Sequence, residues 1–226
     1  VSRSLAELNR KVVACRRCPR LVAWREEAAA GPPRRFQGER YWARPVPGFG
    51  DPEARLVLIG LAPAAHGANR TGRMFTGDRA GDWLYAALHR AGYASQPTSE
   101  RRADGLALRD AYVTAVNRCA PPGNRPTPAE RDNCLPYLAE ELGLLIEARV
   151  LLALGSFAWD GALRAAAALG NATPRPRPRF THGAEAEVGP YTLLGSYHPS
   201  QQNTFTGKLT EGMLDTVISR ARDCAR

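Results

Sequence analysis

Lysine is almost missing from this chain: Lys11 and Lys208 are the only two in 226 residues. No apolar run approaches the roughly 20 residues of a membrane span, so a transmembrane protein is not expected. The amino terminus is polar and helix-like, without the apolar core of a signal peptide. A cytoplasmic location follows as the expectation, and cysteines there stay reduced, as ligands or nucleophiles. The P-loop is absent, and so is the G-x-G-x-x-G dinucleotide fingerprint, which removes two common phosphate-loop readings. There is no internal repeat, and 226 residues suffice for one large α/β domain with a real core.

What is present instead is arginine. Lys plus Arg number 31 against 22 Asp plus Glu, a formal charge of +9. The pI is near 9.8. Such a surplus favours a polyanionic partner, nucleic acid first. A GC-rich genome also enriches Arg and Ala, so charge alone leaves the partner open.

Four short β-branched or apolar runs read as buried parallel strands: residues 55–59, 111–116, 149–154 and 191–197. Helical spacing fills 4–25 (broken at Cys15-Arg16-Arg17-Cys18-Pro19), 79–92, 127–145, 156–169 and 209–224. Thr127 reads as a helix N-cap followed by Pro128 at the first helical position. Residues 31–51 form a long Pro-, Gly- and Arg-rich loop held by its aromatics, and 96–105 a polar, mobile connection. Strands alternating with helices predict a parallel four-stranded sheet with helices on both faces. Ligands in such sheets sit at the carboxyl ends of strands. Three loops meet there, carrying 60–78, 117–125 and 198–203.

These loops hold the candidate chemistry. Gly60-Leu61-Ala62-Pro63-Ala64-Ala65-His66-Gly67 is rich in small residues, so its backbone can approach a ligand closely. Phe75 either stacks on a ligand or anchors its loop to the core. Asp78 is either the cap of the next helix or a carboxylate beside the pocket. His198, between a strand and a proline, is placed to donate a hydrogen bond to an oxygen that gains negative charge. Asn124, between Pro122 and Pro126, offers the donor and acceptor that a pyrimidine edge needs, or is a left-handed turn residue. Cys15-x-x-Cys18 with Cys119 and Cys134 suits a four-thiolate site, iron–sulfur or zinc, while Cys224 stands apart.

Together, residues 60–67 and 69–78, Cys119-Ala120-Pro121-Pro122-Gly123-Asn124, and Ser196-Tyr197-His198-Pro199-Ser200-Gln201-Gln202-Asn203-Thr204 resemble the family 5 (type B) uracil-DNA glycosylases. The four cysteines and residues 41–51 match as well. The resemblance implies a three-layer α/β/α fold, a single domain over 1–226, and a structural [4Fe–4S] cluster on Cys15, Cys18, Cys119 and Cys134. It implies base excision repair: a monomer, cytoplasmic and nucleoid-associated, that flips uracil out of double-stranded DNA and hydrolyses its N-glycosidic bond. Other uracil-DNA glycosylases carry Asp, Asn or Glu in the first motif, where Pro63-Ala64-Ala65 is apolar here. By analogy Asp78 supplies the carboxylate, Phe75 stacks on the base, Asn124 reads its edge and His198 contacts O2. Gly60, Ala62, Pro63, Ala64, Ala65 and His66 line the base, and the apolar motif leaves room for hypoxanthine. The competing expectation is an iron–sulfur or zinc protein that binds nucleic acid or carries electrons without excising bases.

Overall fold

The structure, a computed structural model, describes residues 4–226. Residues 1–3 of the expected 1–226 domain lie outside the described residues. Helix α1 (Leu5–Val13) is capped by Ser4, whose hydroxyl accepts from the Glu7 N–H at 3.2 Å. Its Leu8 and Val12, one turn apart, face inward. Helix α2 (Pro19–Ala30) begins at a proline whose fixed φ suits the first helical position. The Cys15–Cys18 turn joins the two helices.

One mixed sheet of six strands occupies the middle, in the order β1-β3-β2-β4-β6-β5. Its centre is the expected parallel set: β2 (Leu56–Gly60), β3 (Ala111–Ala115), β4 (Val150–Leu154) and β6 (Tyr191–Ser196). Two short antiparallel edges extend it beyond four strands. β1 (Phe49–Gly50) pairs with β3, and β5 (Glu185–Val188) pairs with β6. β1 is only two residues long, and β5 places Glu185 and Glu187 on an exposed edge, where charge deters pairing with another chain.

Alternation along the strands sorts their side chains into two cores. Apart from the short loop helices α3 (Ala68–Thr71) and α7 (Gln201–Phe205), the helices cover the two faces: Leu56, Leu58 and Leu152 pack under α4 (Arg79–Arg90) and α8 (Glu211–Cys224). Val57, Ile59 and Leu151 pack under α5 (Pro128–Leu144) and α6 (Ser156–Ala168). The result is the three-layer α/β/α arrangement. Helix α5 has a full capping box, Thr127 Oγ1 accepting from Glu130 N–H at 3.2 Å and Thr127 N–H donating to Glu130 at 2.7 Å. From β2 the chain steps to β3 on one side, then crosses to β4 on the other. The crevice between β2 and β4 is therefore the switch point at which such sheets bind ligands.

Candidate active site

β2 and β3 stay paired beyond their ends, with Val116 N–H donating to Gly60 C=O and Asn117 N–H to Leu61 C=O, both at 3.0 Å. The first and second candidate loops thus leave the sheet side by side. At Gly60 the absence of a side chain is decisive: a Cβ there would lie 2.8 Å from Phe75 Cζ. The Phe75 ring lies against that bare backbone, 9% exposed, with its own backbone at φ +51°. Its centroid is 5.8 Å from that of His198. Phe75 therefore anchors its loop to the core, as one of its two readings expects, with its ring beside His198.

Asp78 is the cap of α4, its Oδ1 accepting from Gly81 N–H at 3.0 Å. The other oxygen does something no cap requires. A Cβ on Gly67 would fall 2.0 Å from Asp78 Oδ2, so this oxygen rests on the glycine that ends the first motif. Burial raises the Asp78 pKa, partly opposed by the Gly81 N–H. His198 leaves β6 with its Cβ 3.6 Å from where a Gly155 Cβ would be. Its carbonyl accepts from Ser200 N–H and Asn203 Nδ2, both at 2.8 Å. Burial pulls the imidazole pKa down to about 4, so the ring is neutral at pH 7.

The remaining candidates lie around this centre. The N–H groups of Ala62, Ala64 and Ala65 enter no hydrogen bond among the described residues, and Pro63 has none to give. His66 instead joins a second cluster: its Nδ1 lies 3.0 Å from the Tyr41 hydroxyl, and its ring 6.4 Å from Phe36. Desolvation, then Arg35 and Arg70, lower its pKa. Asn124 is exposed at φ +56° and closes the short 3-10 turn Pro122–Asn124, which matches its turn reading. No hydrogen bond ties its side chain to the other candidates among the described residues.

Cys15, Cys18, Cys119 and Cys134 line one cavity, together with Leu21, Val22 and Tyr137. N–H groups reach three of the sulfurs: Arg25 Nη1 to Cys119 at 3.0 Å, Arg118 N to Cys134 at 3.2 Å, and Asn133 Nδ2 to Cys18 at 3.6 Å. The Nε–H groups of Arg25 and Arg118 are buried and unpartnered. Burial pushes the Cys119 thiol up to about 11 and the Cys134 thiol up to about 12. Thiolates here need a cation to offset burial, and buried donors around sulfur suit an anionic thiolate-bound cluster. Among the described residues no three His, Cys, Asp or Glu side chains are placed to share a single metal ion. Cys224 lies elsewhere, near Arg220 and Glu185.

Residues 47–222 match the model of the uracil DNA glycosylase superfamily. A type-5 uracil-DNA glycosylase of Mycobacterium tuberculosis is 56% identical over 98% of this chain and 82% of its own. That of Thermus thermophilus is 53% identical over 95% of both. A type-4 uracil-DNA glycosylase of Pyrobaculum aerophilum is similar over only about half of each chain, at 35%. The chain belongs to the type-5 uracil-DNA glycosylase family. Membership disfavours the expectation of an electron carrier or a non-excising binding protein.

In this type-5 chain the site loop is held by side chains that sequence reasoning passed over. Arg70 donates to His66 C=O at 2.8 Å and Gly77 C=O at 3.0 Å, and pairs with Glu39 at 2.6 Å. Buried Arg73 pairs with Asp104 at 2.6 Å and reaches Thr76 and Ser99, both at 2.9 Å. The connection 96–105, expected mobile, is therefore anchored, with Ser99 buried and Asp104 held well below the usual carboxylate range by Arg73 and backbone N–H groups. Asn69 Nδ2 donates to Ala65 C=O at 3.3 Å and to Arg25 C=O at 3.1 Å, linking the first motif to the helix beside the cysteines. Sequence offers only a weak signal for these: a glycine-rich loop of this length needs staples, and Arg70 and Arg73 are its long side chains.

Proposed function

We propose that this chain hydrolyses the N-glycosidic bond of uracil in double-stranded DNA, acting as a monomer on a base flipped out of the stack. The observation that carries the reading is the Phe75 ring, set on Gly60 at the carboxyl end of β2 and beside neutral His198 from β6, with Asp78 Oδ2 resting on Gly67 at the end of the first motif. Phe75 stacks on the base. As the bond from sugar C1′ to the base nitrogen breaks, its electron pair leaves with the base and the sugar becomes cationic. Neutral His198 donates a hydrogen bond to the base oxygen, and the free N–H groups of Ala62, Ala64 and Ala65 are further donors. Ionised Asp78 stabilises the sugar cation until water adds at C1′, and the proton this water releases neutralises the departing base anion. Asn124 reads the base edge when the loop closes on substrate, and His66 with Tyr41 supports the first motif rather than touching the base. The apolar Pro63-Ala64-Ala65 leaves room for hypoxanthine. We place the enzyme in the cytoplasm, at the nucleoid.

Incubation with a uracil-containing duplex, followed by alkali, tests this directly: strand scission at the uracil position is the expected result, and an intact strand rejects it. Gly67→Ala gives a finer check. Its Cβ would fall 2.0 Å from Asp78 Oδ2, so the carboxylate must shift. Single-turnover excision is expected to fall about 10²-fold, as for misplaced catalytic groups, with duplex affinity retained. Wild-type excision in this variant would detach Oδ2 from the chemistry.

The four cysteines are assigned to a [4Fe–4S] cluster, which when bound supplies a cross-link rather than a redox step. Cys119 lies about a hundred residues from Cys15 and Cys18, so joining them removes much freedom from the unfolded chain. Zinc would gather its thiolates within about 2.3 Å of one ion, whereas a [4Fe–4S] cluster takes one thiolate at each of its four irons. Purified protein is expected to be brown, with iron and acid-labile sulfide, and Cys119→Ser to lose colour and thermal stability together. Colourless protein holding stoichiometric zinc would overturn the cluster and keep the cross-link.

A further inference from the structure

A cavity of about 550 Å³ lies between α1, α2 and the segment leading into β1, lined by Arg10, Arg16, Arg25, Arg44 and Arg102 and by no carboxylate. It shares no lining residue with the Asp78–His198 centre and abuts the cysteine cavity, which Arg16 also lines. Arg16 is paired with Glu26 at 2.6 Å, and Arg25 is turned to Cys119. Arg10, Arg44 and Arg102 make no ion pair among the described residues. Elsewhere the chain satisfies its buried arginines with acids, as in Arg73–Asp104 and Arg118–Glu141. Here Arg10, Arg44 and Arg102 are exposed, their charges screened by water and open to an incoming anion.

The wall is also preset. The Arg44 and Arg102 guanidiniums lie 5.9 and 4.6 Å from the Trp42 ring centroid, which limits their freedom before any ligand arrives. Trp42 is itself fixed to the site loop: its N–H donates to Arg70 C=O at 2.9 Å, and its ring fills the space beside Gly72. Tyr41, hydrogen-bonded to His66, is three residues before Arg44. Three residues span at most about 10 Å, so the arginines begin within about three nucleotide steps of the first motif.

We propose that this arginine-lined groove holds the sugar-phosphate backbone of duplex DNA beside the extruded nucleotide. The inference rests on the DNA glycosylase reading and adds the surface that grips the flanking strand. Arginine forks match phosphate oxygens two at a time, and a DNA strand presents a phosphate at every step, so several arginines in a row find partners at once.

The test compares wild type, Arg10→Ala/Arg44→Ala and a control, Arg109→Ala. Arg109 is an exposed arginine two residues before β3, at the amino end of the parallel strands, opposite the candidate site. Affinity for a duplex of about 20 base pairs, with and without one uracil, is measured across salt concentration. The double variant is expected to bind about tenfold more weakly and to flatten the log–log salt slope by about 0.9 for each phosphate it no longer neutralises. Both duplexes should show it equally, because phosphates carry no base information. The control should keep the wild-type slope, and unchanged melting temperatures exclude misfolding. Equal slopes in all three proteins, or a weakening confined to the uracil duplex, would overturn the groove. Failure of the wild type to release uracil would reject the enzymatic reading instead, and the slopes on uracil-free duplex would still decide the groove.

Discussion

Asp78→Asn is expected to fold, bind uracil-containing duplex and excise almost nothing. The two oxygens of Asp78 separate the roles. Oδ1 caps α4 through Gly81 N–H at 3.0 Å, and asparagine keeps that acceptor, capping about as well as aspartate. Oδ2, against Gly67, becomes an amide nitrogen of nearly the same size, so the packing survives and the charge does not. Single-turnover excision should fall by two to four orders of magnitude, the range of positioned acid–base groups, while melting temperature holds. Wild-type rates in the variant would leave Asp78 a cap only, and His198 with the first-motif amides would carry the chemistry. In the wild type, burial raises the Asp78 pKa above its ordinary value, so the acidic limb of the rate profile should lie above that value and vanish in the variant.

The centre of the fold was legible because it is written locally. Runs such as Leu56-Val57-Leu58-Ile59 can only be buried strands flanked by helices, and Thr127-Pro128 announces a helix start within two residues. The edge strands were not legible for the opposite reason. Phe49–Gly50 is too short for any period, and Glu185–Val188 acquires its pairing from β6 rather than from its own apolar pattern. At the site, the cap role of Asp78 and the turn role of Asn124 were readable from neighbours in sequence. The approach of Asp78 Oδ2 to Gly67 was not, since it depends on how an eleven-residue excursion folds back. His66 shows the same limit. It stands in the motif beside the base-lining residues, yet Tyr41, 25 residues earlier, claims its Nδ1. Arg73 was invisible as a buried ion because Asp104 lies 31 residues on.

The acid behaviour of His198 gives the second large effect. Burial depresses the folded-state pKa to about 4, below the ordinary histidine value of 6.5. The neutral ring thus favours the native state fully above pH 6.5, and this contribution is lost as pH falls from there towards 4, where the unfolded chain binds the extra proton. Through most of that range the native imidazole still carries its neutral N–H donor, so excision should show no inflection near the ordinary histidine pKa. His198→Ala removes a donor aimed at the departing base, and excision should drop about 10²- to 10³-fold at pH 7.5, as for other oxyanion donors. The same substitution removes a buried group that must remain neutral, so the melting temperature should depend less on pH between 6.5 and 4 than in the wild type. A slower rate without the flatter stability profile would mean that the free imidazole is less buried than its packing against Phe75 and Gly155 requires. A flatter profile with wild-type excision would move the leaving-group donor to Ala62, Ala64 and Ala65, whose N–H groups have no other acceptor among the described residues.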